Sequence, residues 1–87
     1  MYASKVIIED GREFIAATNV GIRPTVNEGD DRISVESFLL DFSGDLYGMQ
    51  VRVELYKFIR SEIKFENPQE LAKQIHRDAD TIKEYFR

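Results

Sequence analysis

Two apolar runs, Tyr2 to Glu9 and Phe14 to Val20, meet at Asp10-Gly11. A tight turn between paired strands needs backbone that glycine adopts without steric cost, so this segment predicts a β-hairpin. Two further strands follow: Ile33 to Phe42, and Met49 to Ile59. In the last of these Met49, Val51, Val53 and Leu55 face one way, and Gln50, Arg52 and Glu54 the other. Between the hairpin and these strands, Gly21 to Arg32 reads as a long solvated loop, because Pro24, Gly29 and the acids Glu28, Asp30 and Asp31 would break regular structure. Ser43-Gly44-Asp45 to Gly48 is a turn.

The chain ends in a predicted helix. Asn67 is its N-cap, Pro68 its first helical residue, and Glu70 is placed as in a capping box. Leu71, Ile75, Ala79, Ile82 and Phe86 recur at helical spacing to about Tyr85, which predicts one face packed on the sheet. Four strands and one helix argue for an antiparallel sheet or barrel covered by that helix. With 87 residues there is room for one core, and with no cysteine that core rests on hydrophobic packing alone. The net charge of -4 disfavours a nucleic-acid partner. Neither a membrane-spanning run nor a signal-peptide layout is present, so a soluble, cytoplasmic protein is expected.

Several residues could carry chemistry. Alternation puts Glu36 on one face with Ser34, Phe38, Leu40 and Phe42. A carboxylate among apolar neighbours is costly to ionise and suits a general base; the alternative is a water-exposed residue at the strand entrance. Arg60, Glu62, Lys64 and Phe65 occupy the strand-to-helix junction, a place where loop side chains bind ligands on a rigid scaffold. They also fit a surface ion-pair patch with Phe65 stapled on Leu71. The acidic stretch Asn27 to Asp31 lacks the spacing of a calcium loop, and His76, the lone histidine, reads as an exposed helix residue, so no metal site is assigned. Neither standard glycine-rich nucleotide fingerprint occurs.

Three blocks carry a resemblance: Thr18-Asn19-Val20-Gly21-Ile22-Arg23-Pro24-Thr25, Glu36-Ser37-Phe38-Leu39-Leu40-Asp41-Phe42-Ser43-Gly44-Asp45-Leu46-Tyr47-Gly48, and Phe58-Ile59-Arg60-Ser61-Glu62-Ile63-Lys64-Phe65. In that order, and followed by a helix, they resemble the riboflavin kinase module of bacterial bifunctional riboflavin kinase/FAD synthetases. The resemblance spans nearly the whole chain. It implies a mainly β fold, an antiparallel six-stranded riboflavin-kinase-type β-barrel with one C-terminal helix packed on it. It also implies transfer of the ATP γ-phosphate to the ribityl 5'-hydroxyl of riboflavin, giving FMN, with Mg²⁺ on the nucleotide. By the same resemblance Glu36 is the catalytic glutamate, Arg60, Ile63 and Phe65 contact the flavin ring system, and Asn19, Pro24 and Thr25 belong to a loop bordering the active site.

Two departures shape the expectation. Phe38 stands where the family usually has histidine, and the family's phosphate-binding Pro-Thr-Ala-Asn motif does not occur in these residues. The chain is therefore expected to be a single partial domain, the C-terminal part of a riboflavin kinase module whose barrel is incomplete at its N-terminal side. Its parent would add an N-terminal adenylyltransferase domain, and the piece alone would have little or no kinase activity, because phosphoryl transfer depends on electrostatic stabilisation. The competing expectation is a non-catalytic small β domain that binds flavin or serves a structural role.

Overall fold

A computed structural model describes residues 1–23 and 32–87 of the chain. Pro24, Thr25 and the acidic stretch Asn27 to Asp31 lie outside the described residues. Strands β1 (Tyr2–Ile8), β2 (Glu13–Arg23), β3 (Arg32–Leu39) and β4 (Val51–Phe58) are followed by α1 (Pro68–Tyr85). The strands form one sheet in the order β3-β2-β1-β4, with every neighbouring pair antiparallel. Among the described residues the sheet has four strands and is not closed, where the family resemblance implies six in a barrel.

The first hairpin turns where Asp10-Gly11 predicts. Gly11 has a positive φ of 97°, and the Asp10 carboxylate accepts the Arg12 backbone N–H at 3.0 Å, closing the turn. Other boundaries differ from expectation. β2 runs on through Arg23, because Gly21, Ile22 and Arg23 pair with Ser34, Ile33 and Arg32 and cross-strand bonding overrides the loop-like composition. β3 stops at Leu39 rather than Phe42, because the chain turns at Leu40 and Asp41 takes a left-handed φ of 54°. β4 starts at Val51, after the turn at Gly48.

Cross-strand partners share a face of a pleated sheet. On one face Ala3, Ala17 and Leu40 bury themselves against Ile82 of α1, with Ile15, Ile59, Ala79 and Phe86 packed around them. The small Ala3 and Ala17 let the helix approach closely. On the opposite face Val6 and Ile8 are buried, and a hydroxyl chain crosses three strands. Thr18 Oγ1 lies 2.6 Å from Ser4 Oγ and 2.8 Å from Ser37 Oγ, and Ser4 Oγ donates to the Ala16 carbonyl.

Asn67 caps α1: its side-chain oxygen accepts the Glu70 N–H at 2.9 Å, and Pro68 opens the first turn. The helix does not lie flat on the sheet along its whole apolar stripe. Ile82 is fully buried, but Leu71 and Ile75 remain 43% and 41% exposed. The first half of the helix thus stands off the sheet, and a cavity occupies the gap.

Candidate active site

β2 and β3 place the strand contribution. Asn19 pairs directly with Glu36, and Ala17 with Phe38, so both pairs sit on the face that α1 covers. This agrees with the alternation that groups Glu36, Phe38 and Leu40. Glu36 is nevertheless exposed, as is Phe38, because α1 reaches Leu40 and Ala17 but not the outer end of β3. The desolvation expected of an apolar strand face is therefore not met at Glu36 in this chain. Ser34 Oγ donates to Glu36 Oε1 at 3.4 Å.

Beyond β4 the chain crosses to α1 through residues 59–67. Met1, just before β1, ties the start of this junction to the sheet: its carbonyl accepts the Ile59 N–H at 2.8 Å, and its backbone nitrogen donates to the Arg60 carbonyl at 2.9 Å. Arg60 then turns toward the helix. Its Nε and Nη2 donate to the two oxygens of Asp78, at 3.0 and 2.7 Å, a side-on pair, while Nη1 donates to the Ser61 carbonyl at 3.0 Å. Gln74 Nε2 adds a third hydrogen bond to Asp78 at 3.0 Å.

Burial is the largest influence on the Asp78 carboxyl and opposes its ionisation. Hydrogen bonds from Arg60 and Gln74, with the charge of Arg60, outweigh it and hold the group below the usual carboxylate range. The same contact holds the Arg60 guanidinium above its ordinary value, against the effect of burial.

These elements enclose a cavity of about 450 Å³. Asn19, Glu36 and Phe38 line it from the sheet, Arg60, Ile63 and Phe65 from the junction, and Leu71, Ile75 and Asp78 from α1. The strand glutamate and the junction patch, separate in the sequence, thus share one space. Phe65 and Leu71 both line it, so the staple reading and the ligand reading converge on the same wall. Its volume falls in the range of small-molecule sites. A second cavity, of about 430 Å³, adjoins it, lined by Tyr2, Ser34 and Phe58 among others; Asn19, Glu36 and Glu62 line both. Glu36 therefore stands where the two meet.

Of the other candidates, Pro24 and Thr25 lie outside the described residues, Lys64 is exposed, and His76 is exposed on α1. Among the described residues no cluster of three or more His, Asp or Glu side chains is placed to hold a metal ion. Sequence reading missed Asp78. The signal was present, since Asp78 lies three residues after Ile75 and four before Ile82, a charge within the apolar stripe. Such a charge is buried only when paired.

The family described as "Flavokinase: Riboflavin kinase" matches residues 1–86. The bifunctional riboflavin kinase/FMN adenylyltransferase of Haemophilus influenzae is 41% identical over 86 residues, covering 99% of this chain and 27% of that protein. The proteins of the same description from Bacillus subtilis and Escherichia coli are 37% and 40% identical, again over 99% of this chain and 27% of theirs. The chain thus spans about a quarter of the length of these relatives, at their C-terminal part. Among solved structures, one titled as a macrolide-efflux protein from Streptococcus pneumoniae superposes with a TM-score of 0.83 at 27% identity, covering 94% of this chain and 26% of that one. Among the described residues no helix is long and apolar enough to cross a membrane.

Proposed function

The chain belongs to the riboflavin kinase family, and from that premise we propose that it is the C-terminal part of a riboflavin kinase module in a bifunctional cytoplasmic enzyme. In this reading the parent phosphorylates riboflavin with ATP to give FMN and ADP, and its N-terminal adenylyltransferase domain carries FMN on to FAD. The observation that carries the reading is the single cavity lined by Glu36, Asn19, Arg60, Ile63 and Phe65.

The flavin ring system occupies the space between Ile63, Phe65 and the first half of α1, where apolar and planar surfaces are offered to a planar ligand. The ribityl chain then leads to Glu36, at the border with the second cavity. A primary alcohol is a weak nucleophile. The Glu36 carboxylate takes the proton of the 5'-hydroxyl as its oxygen attacks the γ-phosphorus, the bond to the β-phosphate oxygen breaks, and ADP leaves.

The acids Glu36 and Glu62 beside the second cavity cannot neutralise a transferring phosphoryl group, and Arg60 is engaged by Asp78. That work is assigned to the Pro-Thr-Ala-Asn segment of the parent and to Mg²⁺, which would be held chiefly by the nucleotide's own phosphates. Among the described residues no cluster of acidic or histidine side chains is placed to cage the ion.

Titration of riboflavin against the full-length enzyme, followed by flavin fluorescence, tests the reading. Saturable quenching is expected, weakened about tenfold by Phe65→Ala and by Ile63→Ala, as loss of one apolar contact surface implies. Affinity unchanged in both variants removes the flavin from this cavity. Flavin binding without phosphorylation by the full-length enzyme would instead favour a non-catalytic binding domain.

A further inference from the structure

The Arg60–Asp78 pair is more enclosed than its neighbours. The Asp78 side chain is 5% exposed and that of Arg60 20%, while the other described ion pairs lie between side chains at least 40% exposed. A buried ion pair is weak evidence for stability, because apolar residues of like volume commonly hold two elements together as well. What apolar residues cannot supply is a fixed plane. Here three of the five N–H donors of Arg60 are directed, two to Asp78 and one to the Ser61 carbonyl, so the guanidinium has one orientation at the cavity wall.

The pair also spans the junction. It joins the residue just beyond β4 to the middle of α1, and the segment that it closes carries Ile63 and Phe65. Gln74, one helical turn before Asp78, donates to the same carboxylate oxygen that accepts Arg60 Nε.

We propose that Asp78 is a positioning residue for the flavin site, acting through Arg60: it fixes the guanidinium plane and sets the wall bearing Ile63 and Phe65 in the cavity that Glu36 also lines. The proposal rests on the flavin reading of that cavity. Its consequence is selective. Loosening the tether disturbs the seat of the ring system while leaving the nucleotide side and the proton-accepting carboxylate as they were.

Steady-state kinetics of the full-length enzyme test it, with Asp78→Asn, Arg60→Lys and the double variant. Asp78→Asn is expected to raise the KM for riboflavin about tenfold, with kcat and the KM for ATP within about twofold of wild type, since a displaced binding wall acts on the ligand that it touches. Arg60→Lys keeps the charge but not the two-pronged geometry, and should reproduce that change; the double variant should add little, because both break one unit. An unchanged riboflavin KM in either single variant overturns the proposal. So does an equal loss in all three parameters alongside a lowered thermal midpoint, which marks a purely structural pair. Should Asp78→Asn fail to fold, Asp78→Glu, which keeps the charge but displaces the carboxylate, takes its place with the same riboflavin KM as the deciding readout. A wild-type enzyme that neither binds nor phosphorylates riboflavin overturns the functional reading itself, and the proposal with it.

Discussion

Asn19 of β2 stands directly opposite Glu36 of β3, and the two side chains line the same pair of adjoining cavities. The register is what brings them together, since a slip of one residue would send Glu36 to the other face. Asn19→Asp would place two carboxylates face to face. Like charges so arranged destabilise a sheet by about 0.2–1 kcal/mol, and salt screens them. Urea midpoints at low and high ionic strength should therefore show a loss that shrinks with salt; a salt-independent effect would deny the juxtaposition.

The hydroxyl chain across β1, β2 and β3 maintains that register from the opposite face. Thr18 is fully buried and lies within hydrogen-bond reach of both Ser4 and Ser37. Thr18→Val keeps the shape and removes the central hydroxyl, at an expected cost of about 1–3 kcal/mol. Chemical denaturation measures it. A neutral substitution would mean that the serines find other partners.

Helix α1 divides into a packing half and a site half. Ile82→Ala should cost about 2–5 kcal/mol, a large share of the stability of a domain this small. Ile75→Ala, at a position 41% exposed, should cost under about 1 kcal/mol yet weaken riboflavin binding. Paired unfolding and flavin titrations separate the two effects. Equal losses of stability would contradict the division.

Acid should reveal the tether. In the unfolded chain Asp78 titrates near the ordinary aspartate value of about 3.9, and in the folded chain it titrates lower, held ionised by Arg60 and Gln74. A depressed folded value means that its contribution is complete above the ordinary value and is lost as pH falls through the folded one. Unfolding free energies from about pH 5 downward should decline less steeply in Asp78→Asn than in wild type across that window. Asp10, held low first by the backbone N–H of Arg12, is common to both proteins and cancels. Identical slopes would show that folding does not lower the pKa of Asp78, and so that Arg60 and Gln74 do not hold its carboxylate.

The elements were legible because each has a local cause: Asp10-Gly11 for the first turn, alternation for β4, Asn67-Pro68 for the start of α1. Glu36, Arg60, Ile63 and Phe65 were legible as a set only through the resemblance, since nothing local says that β3 and the junction meet. What could not be read depends on tertiary contact. The bulge between Ala3 and Ser4 shifts the β4 pairing past Leu55, and Tyr56 packs its ring 5.2 Å from that of Phe86, a change that alternation does not record. The extension of β2 through Arg23 required its partner on β3. Asp78 interrupts the apolar stripe of α1, but nothing local names Arg60, 18 residues earlier, as the partner that lets it be buried.

The most direct test of Glu36 as the proposed base at the edge of the proposed flavin cavity is riboflavin phosphorylation by the full-length enzyme carrying Glu36→Gln, with riboflavin affinity measured in parallel. Turnover is predicted to fall by about 10²–10⁴-fold while affinity stays within about threefold of wild type, the signature of a lost proton acceptor in an intact pocket. Turnover equal to wild type would contradict the account.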